Sequence, residues 1–175
     1  MARILLAYST VDGHTRRICE RVQRLLEGAG HSATLACLGE GPGPQPEAFD
    51  KVVIGASIRY GHYREHVFDF IRHHQQALEH KPSAFFTVNA VARKAGKDTP
   101  EANPYVRGFL RKTAWRPALI GVFAGRIDYP KYGFRDRQII RFIMWLTRGP
   151  TDPQACVEFT DWAAVEAFAQ RVSTL

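Results

Sequence analysis

Five short apolar runs, separated by amphipathic stretches, constrain this chain more than any other feature. They are Arg3 to Tyr8, Ala33 to Leu38, Lys51 to Ala56, Ser83 to Val88 and Ala118 to Ala124. Strands that are apolar on both faces belong in a sheet covered on both sides. Such sheets are parallel, because the helical crossovers that join parallel strands are what cover them. The intervening stretches carry the matching period. Ile18, Val22, Leu25, Leu26 and Ala29 share one face of a helix starting at His14 and closed by Gly28 and Gly30. Val67, Phe68, Phe70, Ile71 and Leu78 do the same for a helix from Glu65 to Leu78. Asn103 before Pro104 marks a short helix through Lys112. Thr160 is the expected cap of a last helix whose inner face is Val165, Phe168, Ala169 and Val172. Gly39 to Pro46 reads as a loop. The expectation is an α/β three-layer sandwich, one domain over 1–175.

One stretch resists this pattern. Residues 126–153 are too long for an ordinary connection and contain their own helix, expected from Asp136 to Leu146. Arg126, Lys131, Arg135, Arg137, Arg141 and Arg148 outnumber Asp128 and Asp136 there, and large apolar residues alternate with them.

In parallel sheets, ligands bind at the carboxyl ends of strands, where the strand order reverses. The loop after the first strand reads Ser9, Thr10, Val11, Asp12, Gly13, His14, Thr15. Its hydroxyls, and the free amides of a helix start, suit a phosphate, and Gly13 lets the backbone approach closely. GxxxxGK[ST] and GxGxxG are both missing, so neither an NTPase loop nor an ordinary dinucleotide fold is supported. A plain helix cap is the competing reading. The loop after the third strand reads Ser57, Ile58, Arg59, Tyr60, Gly61, His62, Tyr63. An aromatic there can cover a flat ring, and Arg59 can donate to a ring carbonyl. The alternative is a surface loop with incidental aromatics. The loop after the fourth strand begins Asn89, Ala90, Val91, Ala92, Arg93 and continues through Lys94 and Lys97. Its backbone can meet a ring edge, or it is simply a solvated basic turn.

Leu6 to Thr10 with Gly13-His14-Thr15 resembles the flavodoxin signature, although a hydroxyl residue is commoner at the place of Asp12. Longer blocks go further. Tyr8 to Thr15, Val52 to Tyr63, Ser83 to Asn89, Val91 to Lys94, Trp115 to Pro117 and Thr160 to Trp162 are similar to the flavodoxin-like, quinone-dependent protoporphyrinogen IX dehydrogenases of bacterial haem synthesis. In that family Asp12 is no anomaly. The resemblance implies a flavodoxin-like sheet of order 2-1-3-4-5 and non-covalent FMN held by the three loops. It also implies oxidation of protoporphyrinogen IX to protoporphyrin IX, with electrons passed to menaquinone or ubiquinone, and an insertion after the last strand that is tied to activity.

The residues add to this. Arg126, Lys131, Arg135, Arg137, Arg141 and Trp145 suit an interfacial helix on anionic lipid, or the two propionates of a macrocycle. The competing reading has Ile139, Ile143 and Leu146 packing the insertion onto the domain. Arg59, Arg93, Lys94 and Lys97 are expected to stabilise a reduced, anionic flavin. His14, Tyr60 and His62 are the candidates for moving a proton, and no base stands out among them. No metal is expected, because no HExxH exists and His73 and His74 point apart on a helix. Cys19, Cys37 and Cys156 are an odd set without close spacing, which argues against a disulfide framework. Met1 to Tyr8 runs straight into a loop, unlike a signal peptide, and no apolar run approaches the ~20 residues of a membrane span. A net charge of +7 invites an anionic partner, yet no nucleic-acid motif is present. The expected location is cytoplasmic, peripheral on the inner face of the inner membrane. The competing functions are an electron-transfer flavodoxin, an NAD(P)H-quinone reductase, and a basic binding module with a vestigial site.

Overall fold

All five apolar runs become strands of one parallel sheet in the computed structural model, which describes residues 1–41 and 43–175. Pro42, inside the expected 39–46 loop, lies outside the described residues. The strands are β1 (Arg3–Ser9), β2 (Ser32–Cys37), β3 (Lys51–Ser57), β4 (Ser83–Val88) and β5 (Leu119–Phe123). Their order is β2-β1-β3-β4-β5, with every neighbouring pair parallel. The helices are α1 (His14–Gly28), α2 (Glu65–His73), α3 (Gln75–Glu79), α4 (Pro104–Lys112), α5 (Phe134–Leu146) and α6 (Trp162–Thr174).

Alternation along each strand separates two cores. Ile4, Leu6 and Phe86 face α1 and α6, meeting Ile18, Val22, Leu26, Phe168 and Val172. Leu5, Ile54 and Phe85 face the other way, onto Val67, Phe68, Ile71, Phe109 and Trp115. Phe85 and Phe109 stack with centroids 4.0 Å apart, and the Trp115 indole donates to Ser83 Oγ at 3.1 Å. The indole therefore carries its N–H into the core with a partner.

Three local expectations change. The expected Glu65–Leu78 helix breaks at His74, whose ψ of 20° leaves the helical path. The His74 ring pairs with Glu47 at 3.1 Å, and the short α3 then turns Leu78 into the core. The cap of α6 is Asp161, whose carboxylate accepts from the amides of Ala163 and Ala164. Thr160 instead donates to the Ala124 carbonyl at 2.8 Å, one residue too early to reach the helix amides. The helix of the insertion begins at Phe134 rather than Asp136.

The insertion also contains strands that periodicity does not reveal. β6 (Arg126–Asp128) and β7 (Cys156–Glu158) pair antiparallel. The excursion therefore closes at Glu158, past the expected Pro153. Ile127, Tyr129, Tyr132 and Met144 form its own small core. Among the described residues, no helix is long and apolar enough to cross a membrane.

Two strand glycines make room for the aromatic cluster of Phe86, Phe123 and Phe168. A Cβ on Gly55 would lie 2.2 Å from Phe86 Cζ, and one on Gly121 would lie 2.9 Å from Phe168 Cδ2. Gly108, inside α4, has nothing within 4 Å. Gly55→Ala is thus expected to lower unfolding free energy by about 1–3 kcal/mol through overpacking. Gly108→Ala should raise it by roughly 0.5–1 kcal/mol through helix entropy. Urea midpoints of the two variants check both signs.

Candidate functional site

The order reverses at β1, which has β2 on one side and β3 on the other, and the ends of β1, β3 and β4 open on one cleft. The loop after β1 contributes Thr10, Val11, Asp12, His14 and Thr15 to its wall. The loop after β3 contributes Ser57, Ile58, Arg59, Tyr60 and Gly61. The loop after β4 contributes Asn89, Ala90, Val91 and Arg93. From the insertion come Arg126, Ile127, Tyr132, Ile140, Ile143, Met144 and Thr147, with Tyr105 of α4 and Phe159 beside them.

At one end of the cleft stands the start of α1. Gly13 is left-handed at φ 79° and gives its amide to Thr10 Oγ1 at 3.0 Å. The first-turn amides of a helix have no acceptor within it, and its dipole favours an anion. Two side-chain atoms here are buried without any partner, Thr15 Oγ1 and His14 Nδ1. Each such atom costs about 1–3 kcal/mol if left alone. A phosphate ester seated at this helix start fits the Thr15 hydroxyl, which can donate to it. The Gly13 requirement is one of backbone angle, since an added Cβ would meet nothing within 4 Å.

His14 is fixed more firmly than a proton relay needs. Thr160 donates its only proton to the Ala124 carbonyl, so His14 Nε2–H must be the donor in the 2.6 Å bond between them. Nδ1 of the neutral ring then bears no proton. Burial keeps the ring neutral by lowering its pKa, with Arg17 and Arg126 acting in the same direction and Glu158 against it.

Other expected contributors lie off the cleft wall. Ser9 is buried beneath the loop, with its Oγ 2.7 Å from His66 Nε2. The side chain of His62 points to solvent, while its backbone closes a tight turn with Arg59 through bonds of 2.9 and 3.1 Å. Tyr60 and Gly61, at φ 50° and 82°, are the centre of that turn. Lys94 and Lys97 are exposed and away from the cleft.

The arginines differ most from expectation. Both terminal nitrogens of Arg59 are engaged by carboxylates. It bridges Asp12 at 3.0 Å and Asp136 at 2.8 Å, lying against the rings of Tyr60 and Tyr132. Asp12 is thereby paired with a cation, which offsets its repulsion of an anion at the helix start. Burial raises the Asp12 pKa, opposed by Arg59. The Tyr60 hydroxyl donates to Asp136 and holds that carboxyl below its usual range. Arg93 crosses from the β4 loop to the end of α5, donating to Thr147 O and Oγ1, both at 3.0 Å, and to Ala90 O. One arginine thus ties each end of α5 to a cleft loop.

Between these ties, Ile140, Ile143 and Met144 form a wall of the cleft. Of the three residues expected to pack the insertion inward, Ile143 does so, whereas Ile139 and Leu146 are exposed. Arg126 lines the cleft, paired with Asp128 at 2.9 Å. Arg137 and Arg141 lie outside it and hold insertion backbone, donating to Tyr129 O, Tyr132 O and Thr151 O. Lys131, Arg135 and Trp145 are on the outer surface.

Sequence reasoning missed Tyr105, Phe159 and the inner face of α5. The spacing of Ile140, Ile143, Met144 and Thr147 was a usable helical signal. Tyr105 and Phe159 sit outside the three loops, and nothing in their neighbourhood marks them.

A family model described as a flavodoxin domain matches residues 5–154. The chain is 43% identical over 173 residues to an Escherichia coli K12 protein named protoporphyrinogen IX dehydrogenase [quinone], covering 99% of this chain and 96% of that one. Among solved structures, a flavodoxin, WrbA-like protein from Agrobacterium tumefaciens superposes with TM-score 0.55 at 14% identity, covering 99% of this chain and 96% of that one. A flavoprotein in complex with FMN from Lactobacillus acidophilus does so with TM-score 0.50 at 13% identity, covering 70% and 93%. These two show the fold; the family model and the end-to-end identity show more, and the chain belongs to the flavodoxin-domain family, within its quinone-dependent protoporphyrinogen IX dehydrogenases.

Proposed function

We propose that this chain binds FMN in the cleft and oxidises protoporphyrinogen IX to protoporphyrin IX, with a quinone as electron acceptor. The carrying observation is the buried, unpartnered hydroxyl of Thr15, at a helix start that opens into an apolar, aromatic-walled cleft. Thr10, Thr15 and the first amides of α1 would hold the phosphate. Ile58, Tyr60 and Gly61 would hold one side of the ring. Asn89 would offer only its carbonyl, because its side chain is engaged with Ala92, Thr87 and Asn103 and its N–H donates to the Phe123 carbonyl. Bound FMN supplies a two-electron acceptor that the porphyrinogen can reduce and the quinone can reoxidise. The protein's part is orientation and exclusion of water, the latter by Ile140, Ile143 and Met144.

The outer face of α5 suits a membrane surface. Phe134, Phe142, Trp145 and Leu146 are exposed, with Phe142 and Trp145 stacked 6.1 Å apart. Arg135 and Lys131 are exposed on the same excursion, as an interfacial helix on anionic lipid requires. Peripheral attachment at the cytoplasmic face would bring the cleft to a lipid-dissolved menaquinone or ubiquinone and leave nucleic acid without a role.

Anaerobic addition of protoporphyrinogen IX to the FMN-loaded protein should bleach the flavin absorbance, and a quinone should restore it. Spectra that stay oxidised would remove the substrate assignment. Gly13→Val forces a β-branched residue into a left-handed turn at a cost of about 1–3 kcal/mol. It should weaken FMN at least about tenfold in a fluorescence titration, against a wild-type-like far-UV spectrum. Phe142→Ser with Trp145→Ser should reduce sedimentation with anionic vesicles severalfold while FMN stays bound.

A further inference from the structure

Hydride uptake leaves a negative charge on a flavin ring, so the charge balance around the cleft decides how well the reduced form is held. Three arginines line this cleft. Arg59 lies between Asp12 and Asp136, two carboxylates for one cation. Arg126 is paired with Asp128 at 2.9 Å, a carboxylate that the exposed Lys131 shares at 3.6 Å. Arg93 takes part in no ion pair among the described residues. Its donors reach the Ala90 carbonyl and the Thr147 carbonyl and hydroxyl, which orient the guanidinium without cancelling its charge. The Phe159 ring lies 5.9 Å from it. A Cβ on Gly149 would come within 2.8 Å of its Nη2, so this bend of the excursion closes directly upon it. Burial acts against the charge, yet a guanidinium stays protonated in proteins. The cleft therefore holds one fixed, partly dehydrated cation with no counter-charge, on the loop after β4.

We propose that Arg93 sets the reduction potential of the bound flavin, favouring its reduced anionic form over its oxidised form. This deepens the FMN reading and rests on it. The four cations expected on the ring loops reduce to one, because Arg59 is neutralised and Lys94 and Lys97 are exposed to screening solvent. The neutralised Arg59 and the unmatched Arg93 have different tasks, although both tie down α5.

The test is the two-electron midpoint potential of the FMN-loaded protein, together with dissociation constants for oxidised and reduced FMN. Arg93→Gln keeps hydrogen-bond donors and loses the charge. It should weaken reduced FMN relative to oxidised by about tenfold, a fall of about 30 mV for this couple. Arg93→Lys should recover most of that difference, and Lys94→Gln should show none. Thr147→Asp places a carboxylate beside the guanidinium and should lower the potential with Arg93 still present. If Arg93→Gln weakens both forms equally and leaves the potential unmoved, the residue is only a fastener for α5 and the proposal fails. Should Arg93→Gln not retain FMN, Thr147→Asp decides, and an unmoved potential there overturns the proposal. A wild-type protein that takes up no FMN would instead overturn the proposed function itself.

Discussion

A sheet apolar on both faces has to be covered on both, and that need shapes the molecule. Each parallel strand hands over to a crossover that must return to the same edge, so the turns leaving β1, β3 and β4 gather at one end. The order reverses at β1, where the chain first builds outward to β2 and then returns to β3, and the turns there diverge around a crevice. The cleft is a by-product of covering the sheet. The end proposed for the phosphate is a helix start that would exist in any such fold. The chain's own additions are the left-handed Gly13 and the buried Thr15 hydroxyl.

Burial was legible in the sequence, and partnership largely was not. The strands and the inner faces of α1, α2 and α6 follow from apolar spacing, because spacing records which side of an element is dry. The same reasoning located all three cleft loops. It could not see that His74 leaves its helix for Glu47, or that Asp161 rather than Thr160 reaches the amides of α6. Those outcomes depend on distances between segments far apart in the chain. Three-residue strands such as β6 and β7 carry too short a pattern to register. Arg59 and Arg93 show the limit most clearly: a cation on a loop reads as free charge until the carboxylate or carbonyl facing it is known.

The insertion helix has two apolar faces with different neighbours. Its inner residues close the cleft, and its outer ones have no protein covering. The cations that looked like a lipid-facing set divide accordingly. Arg137 and Arg141 stitch the excursion's backbone together, while Lys131 and Arg135 remain outside. Because Arg59 and Arg93 fasten α5 to the β3 and β4 loops, the position of that helix and the shape of the ligand wall are mechanically linked.

The short ladder at the root of the excursion has a consequence of its own. Arg126 opposes Glu158, Ile127 opposes Val157 and Asp128 opposes Cys156, so the path out and the path home run side by side. The conformational cost of looping out is met locally at that clasp. The sheet and α6 receive the chain as if only a tight bend had been made. Residues beyond the clasp are free to lengthen, shorten or change character over evolutionary time while the register of β5 is undisturbed. A common frame can thereby acquire new reaction partners by exchanging one appendage.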